Sequence, residues 1–184
     1  IVQSCDVDIS KFQLVDVAHS HAAAARAVAL IREGKGQALM KGSLHTDELM
    51  AAVVKRETGL RTGRRVSHCF IMDVPAIDRV VIITDAAVNI FPALEDKVHI
   101  VQNAIDLAHA LGLANPKVAI LSAMETVNPQ VPSTIEAAAL CKMADRGQIT
   151  GAQLDGPLAL DNAIDLGAAR IKKIVSPVAG QADI

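Results

Sequence analysis

Tryptophan and tyrosine are absent from the 184 residues and aromatics make up only 2% of them. The core therefore has to be built from Ala, Val, Ile and Leu, which suits tightly packed helices on a central sheet, and base-stacking platforms for nucleic acid are not supported. Cysteine is scarce too. Cys5, Cys69 and Cys141 are odd in number, widely spaced and without a C-x-x-C pair, which excludes a disulfide framework or a cysteine zinc site and makes a reducing cytoplasm the default. No apolar run approaches the roughly 18 residues of a membrane span, and no signal-peptide pattern opens the chain, so a soluble cytoplasmic protein is expected. Charge of one sign is missing as well: the formal net charge is -2, which leaves no basic footprint for nucleic acid or acidic membrane. Neither G-x-x-x-x-G-K-[ST] nor G-x-G-x-x-G occurs, so Walker-type and Rossmann-type nucleotide sites are not supported.

What is present is a chain with 51% hydrophobic and 21% charged residues, enough to bury a core in one large or two small domains. Strand and helix signals alternate along it. Phe12 to Val17 reads as a strand, Ser20 to Glu33 as an Ala-rich helix stopped by Gly34, Gln37 to Lys41 as a strand, and Thr46 to Arg56 as a helix. The basic connector Leu60 to Arg65 marks a domain boundary, with residues 1–64 forming part of a first α/β domain and 65–184 most of a second. Beyond it, Val66 to Val74 and Arg79 to Thr84 read as strands that lack an intervening helix and can pair antiparallel. A helix follows from Glu95 to Leu111, then a strand from Lys117 to Leu121. Ser133 to Glu136 has the pattern of a capping box opening a helix to Arg146. Gln153 to Asp155 is a short strand, Gly156-Pro157 a turn, and Asp161 a cap for a last helix toward Lys172. The alternation predicts mainly parallel sheets flanked by helices, with ligands at the carboxyl ends of the strands.

The stretch ALMKGSLHTDE, Ala38 to Glu48, carries the strongest chemical signal. An apolar run stops at Gly42, and Ser43, His45 and Thr46 lie beside a helix start whose unpaired N–H groups favour negative charge. A solvated strand-to-helix turn is the plainer reading of these residues; Lys41 tilts the balance toward a phosphate or CoA pyrophosphate site. Of the basic cluster Arg61, Arg64 and Arg65, only Arg61 is favoured as a phosphate clamp, the other two being read as a solvated face. His19 and His21 lack further ligands for a metal pair, and no metal site is expected. Strand ends supply Asp85, Asn89, Ser122, Asp155 and Gly156 as candidates to line a cleft, each also explicable as an ordinary loop or cap residue.

Taken together, ALMKGSLHTDELM, ITDAAVNIFPALEDKVHIVQNAIDLAHALG, VAILSAMETVNP, LDGPLALDNA and SPVAGQADI resemble, in order and over nearly the whole chain, the phosphate acetyl/butyryltransferase family, in particular its branch sometimes fused to an enoyl-CoA hydratase domain. The resemblance implies a two-domain α/β fold like that of isocitrate and isopropylmalate dehydrogenases, a site in an interdomain cleft and a homodimer. It implies exchange of an acyl group between coenzyme A and inorganic phosphate, with coenzyme A as substrate and no bound cofactor. Two departures accompany it. Ala51 stands where many members carry an Arg five residues after the Thr matching Thr46, so Arg61 or Lys41 would have to replace that clamp. The family's Ser-Arg pair and following Asp, which contact substrate and act as base, fall beyond Ile184. With no Met at Ile1 and a strand starting at Ala182-Asp183-Ile184, an internal fragment is expected. A non-catalytic acyl-CoA or phosphate-binding module, and an NAD-dependent decarboxylating dehydrogenase of the same fold, are the alternatives.

Overall fold

The structure, a computed structural model, describes residues 8–184; Cys5 lies outside them. The chain divides into two compact units, the first ending at Gly63 and the second running Arg64–Ile184.

The first unit is built on two packed helices, α1 (Ser20–Arg32) and α2 (Thr46–Val53). Ala24 and Val28, one turn apart on α1, are its buried residues. The cap of α1 is His19 rather than Ser20: its Nδ1 accepts the Ala22 N–H at 3.2 Å. Gly34 ends the helix at φ 73°, as expected of a residue past a C-cap. Arg32 closes the far side by donating to the carbonyls of Glu57 at 2.6 Å and Gly59 at 3.3 Å. Neither Phe12 to Val17 nor Gln37 to Lys41 forms a strand. A strand needs a paired edge to be stable, and the described part of this unit contains no strand to provide one. The side chains show the consequence: Phe12, Leu14 and Met40 stand exposed.

The second unit contains two small sheets. β1 (Cys69–Asp73) and β2 (Val80–Thr84) pair antiparallel, Ile71 opposite Ile82. β3 (Lys117–Leu121) and β4 (Gln153–Leu158) pair parallel, Ala119 opposite Asp155. The expectation of mainly parallel sheets thus holds for one ladder of two, because the six-residue link between β1 and β2 is too short for the helical crossover a parallel pair requires. Strand β4 also runs through Gly156 and Pro157, where a turn was expected. The Pro lacks a ladder N–H, and a register irregularity between Ala119 and Leu121 absorbs it.

Helix α3 (Leu94–Ala110) buries Ile100, Val101, Ala104, Ile105 and Ala108, a helical stripe from which Val101 and Ile105 pack with Val118, Leu140 and Ile149 into one core cluster. Asp96 reaches back to accept the Ala93 N–H at 3.1 Å. Helix α4 (Pro132–Asp145) starts one residue before the expected capping box, with Pro132 at its first position. No box forms: Glu136 pairs with Lys97, and Thr134 Oγ1 accepts the Asn128 N–H at 2.9 Å. The expected final helix is two, α5 (Leu160–Ile164) and α6 (Leu166–Ile171), split at Asp165, whose extended backbone and side chain cap α6 by accepting the Ala168 N–H at 2.7 Å. A second core cluster, around Leu158, Ala163, Ala169 and Val178, sits under these short helices.

Candidate functional site

In the first unit, Lys41, Gly42, Ser43, His45 and Thr46 fall together at the start of α2. Lys41 folds its ammonium over the turn, donating to the Gly42 carbonyl at 3.3 Å and the Leu44 carbonyl at 3.0 Å. His45 occupies the N-cap position in extended conformation and makes no side-chain cap, so the first-turn amides of α2 remain available to an anion. Asp47 and Glu48 already place negative charge in that turn. Each side chain satisfies part of the dipole, and a bound phosphate therefore depends on the neighbouring cation to offset their repulsion. Glu48 is turned away from solvent, one oxygen 3.6 Å from His21 Nε2 and the other buried without a partner. Arg61 lies exposed in the same unit.

In the second unit, Asp85 and Asn89 are brought together directly after β2. The Asp85 carboxylate accepts the amides of Ala87 at 3.1 Å, Val88 at 3.0 Å and Asn89 at 3.2 Å. Its partial burial would raise the pKa, but these amides and the Asn89 side chain outweigh it and hold the carboxyl below its ordinary value. Asn89 in turn donates to the Val66 carbonyl at 3.0 Å and accepts from Arg65 Nε at 2.6 Å. Arg65 also pairs with Asp96 at 3.0 Å, and Arg64 pairs with Asp106. These two arginines, read from sequence as a solvated face, are structural ties between the connector and α3.

At the end of β3, the Ser122 hydroxyl lies 2.7 Å from the Ser133 hydroxyl at the start of α4. Asp155 and Gly156 lie within β4, where the Gly156 N–H donates to Asp155 Oδ1 at 2.9 Å. Gly156 is required by close approach: a Cβ there would meet the Ile120 carbonyl oxygen at 2.6 Å. Cys141 packs beside this part of β4, and burial, reinforced by the Asp155 charge, pushes its thiol up to about 12. It is therefore no nucleophile at neutral pH.

One polar cluster was missed from sequence. Lys172 Nζ donates to Glu125 Oε1 at 2.7 Å and pairs with Asp161 at 3.0 Å. The fully buried Asn162 donates to the same Glu125 oxygen at 2.5 Å. Hydrogen bonding from Lys172 lowers the pKa of both carboxylates, and theirs raises that of Lys172. The available signal was that Glu125 lies in VAILSAMETVNP and Asp161-Asn162 in LDGPLALDNA, both at carboxyl ends of strands; Lys172, at the end of a helix, gave none.

A cavity of about 440 Å3 opens between β2 and β3. Its walls are apolar, from Ile82, Ile100, Val118, Ile120, Leu140 and Ile164, with Thr84, Asp85, Asn89 and Lys97 as its polar lining. Among the described residues no group of three or more His, Cys, Asp or Glu is arranged to hold a metal ion.

The two helices of the first unit, and the parallel ladder with its flanking helices in the second, define an α/β protein. A solved structure described as a branched-chain phosphotransacylase from Enterococcus faecalis V583 superimposes with a TM-score of 0.83 at 36% identity, over 92% of this chain and 60% of that one. A phosphate acetyltransferase of Rhizobium meliloti is 68% identical over 178 residues, covering 97% of this chain and 56% of its own length. A phosphate butyryltransferase of Clostridium acetobutylicum is 44% identical over 178 residues, covering 97% of this chain and 59% of its own. The family described as phosphate acetyl/butaryl transferase matches residues 10–184, and the chain belongs to it. It spans between half and two thirds of the length of these curated relatives.

Proposed function

We propose that the protein of which this chain forms at least a part is a phosphate acyltransferase, converting acyl-CoA and inorganic phosphate to acyl phosphate and free CoA. The observation that carries the reading is the family match over residues 10–184 together with relatives named for this activity. A phosphate oxygen attacks the acyl carbonyl, the carbon–sulfur bond breaks, and the CoA thiolate leaves and takes up a proton. Two anionic substrates have to be oriented for this, and charge develops on the carbonyl oxygen.

In this reading the α2 amides, Lys41, Ser43, His45 and Thr46 hold phosphate, with Gly42 letting the backbone approach it. Arg61 supplies the clamp that Ala51 does not. Asp85, Asn89, Ser122, Asp155 and Gly156 belong to the side that receives acyl-CoA. The two units correspond to the two domains of an isocitrate/isopropylmalate dehydrogenase-type fold, working as a cytoplasmic homodimer, and the parent protein can carry a fused enoyl-CoA hydratase domain. A non-catalytic binding module is the second reading, favoured by Ala51 alone.

The test is phosphate-dependent release of free thiol from acetyl-CoA or butyryl-CoA. Release by the longer protein supports transfer. Ligand binding without release, in the longer protein as in this chain, would replace it with the module, and hydride transfer to NAD from a hydroxy acid would replace the family reading of the chemistry.

A further inference from the structure

The negative charge in the first turn of α2 finds its counter-charge on α1. Glu48 is the third residue of α2, the position from which a capping carboxylate turns back to the N-cap N–H. It makes no such bond. Its side chain is only 16% exposed and reaches α1, where Oε1 lies 3.6 Å from His21 Nε2, while Oε2 is buried and accepts no hydrogen bond among the described residues. His21 sits in the first turn of α1 and is 71% exposed. The other charged or titratable groups at the two helix starts are His19, Lys41, His45 and Asp47. The His19 ring lies 6.2 Å from that of His21, and its Nδ1 accepts the Ala22 N–H. The Lys41 ammonium donates to the Gly42 and Leu44 carbonyls, and His45 and Asp47 precede Glu48 at the α2 start. A carboxylate largely withdrawn from water, with one oxygen unsatisfied, is balanced when the imidazole facing it is protonated and left unbalanced when that imidazole is neutral.

We infer that His21 and Glu48 are a positioning pair that sets the charge of the α2 anion site by proton uptake. The inference deepens the phosphate reading of that site and rests on it. With His21 protonated, the Glu48 charge is offset across the helix pair, and an incoming phosphate meets the first-turn amides of α2 with less repulsion. When His21 gives up its proton, Glu48 stands as a full negative charge in the turn that has to accept phosphate. Phosphate capture therefore weakens as pH rises through the imidazole range. His21 acts through Glu48 and not as a ligand of phosphate, which separates its role from those of Lys41 and Arg61.

The test is the phosphate KM of the longer protein at pH 6 and pH 8.5, measured for the wild type, His21→Gln, Glu48→Gln and the double variant. His21→Gln is expected to raise the phosphate KM about twofold to fivefold at pH 6, the worth of a partly exposed ion pair, and to leave it unchanged at pH 8.5. The ratio of variant to wild type cancels the titration of phosphate itself and of His45, which are common to both. In the Glu48→Gln background the same change has no effect at either pH, and the CoA KM stays constant throughout. A ratio near one at pH 6, the same raised ratio at both pH values, or a CoA KM that rises in step overturns the inference. So does an effect of undiminished size in the Glu48→Gln background, which would make His21 a direct ligand. Lys41→Met tells this failure from failure of the site: if it raises the phosphate KM while His21→Gln does not, the phosphate site stands and the pair is lost, and if neither does, the phosphate reading falls with it.

Discussion

Asn89 binds Asp85 twice, its backbone N–H donating to Asp85 Oδ2 at 3.2 Å and its side-chain amide donating to the same oxygen. With the Ala87 and Val88 amides on the other oxygen, Asp85 organises the loop that follows β2. Asp85→Ala leaves partly buried donors without an acceptor and is expected to cost about 1–3 kcal/mol of stability. Asp85→Asn, which keeps one acceptor oxygen, should cost less. Urea unfolding at neutral pH checks both, and equal stability of wild type and Asp85→Ala would show that the loop does not depend on the carboxylate. The pH dependence has a defined sign. Because the folded pKa lies below the ordinary one, the contribution is present above about pH 4 and is lost as pH falls through the lower folded value.

Lys172 holds Glu125 and Asp161 ionised at the ends of β3 and β4. Removing it in Lys172→Met should move the Glu125 carboxyl titration upward toward the ordinary glutamate range, read from side-chain carbon chemical shifts against pH. Asn162 remains as a donor, so the change stops short of what full removal of partners would give. For Lys172 itself the folded pKa is raised, so its contribution is complete below the ordinary lysine pKa and disappears as pH rises through the folded one. An unmoved Glu125 titration in the variant would assign its low pKa to some other neighbour.

The long elements were legible from local pattern. Leu94–Ala110 and Lys117–Leu121 lie within one residue of expectation, because an apolar stripe of 3.6 period or a short run of β-formers survives whatever packs against it. Phe12 to Val17 and Gln37 to Lys41 have equally apolar patterns but remain irregular, since strand formation depends on a partner edge that local sequence does not encode. The break at Asp165 was hidden in the same way, a single residue serving as the end of α5 and the cap of α6. At the candidate site, adjacency in sequence made the Lys41 to Thr46 group readable. The Glu125, Asn162 and Lys172 cluster joins positions up to 47 residues apart and becomes visible only in the fold.

Gly156 separates β4 from Ile120 by the width of a missing side chain. In Gly156→Ala the new Cβ meets backbone, not the tip of a flexible side chain, at 2.6 Å from the Ile120 oxygen. The ladder has to part, at an expected cost of about 1–3 kcal/mol. Thermal unfolding measures it, and a variant as stable as the wild type would mean that the β3–β4 irregularity yields freely.

Cys141 and Cys69 are both thiols of intermediate exposure. With its pKa pushed up to about 12 by burial, Cys141 carries almost no thiolate near pH 8 and should resist iodoacetamide in the folded protein while reacting after denaturation. Mass mapping of the alkylated peptides decides this, and rapid labelling of native Cys141 would show that its surroundings open.

Lys41 and Arg61 make separable contributions if the first unit holds phosphate. Lys41 spends its hydrogen bonds on the Gly42 and Leu44 carbonyls, so it both shapes the turn and brings positive charge to the α2 start. Lys41→Met removes both and should raise the phosphate KM of the longer protein by about tenfold to a hundredfold, the range of one charge-assisted contact. Arg61 is exposed, so Arg61→Ala should leave stability unchanged and raise only the phosphate KM. The CoA KM serves as the internal control. If both variants alter it as much as the phosphate KM, the defect is in folding and not in anion binding, and if Arg61→Ala leaves both constants unchanged, the clamp that Ala51 lacks is supplied from elsewhere.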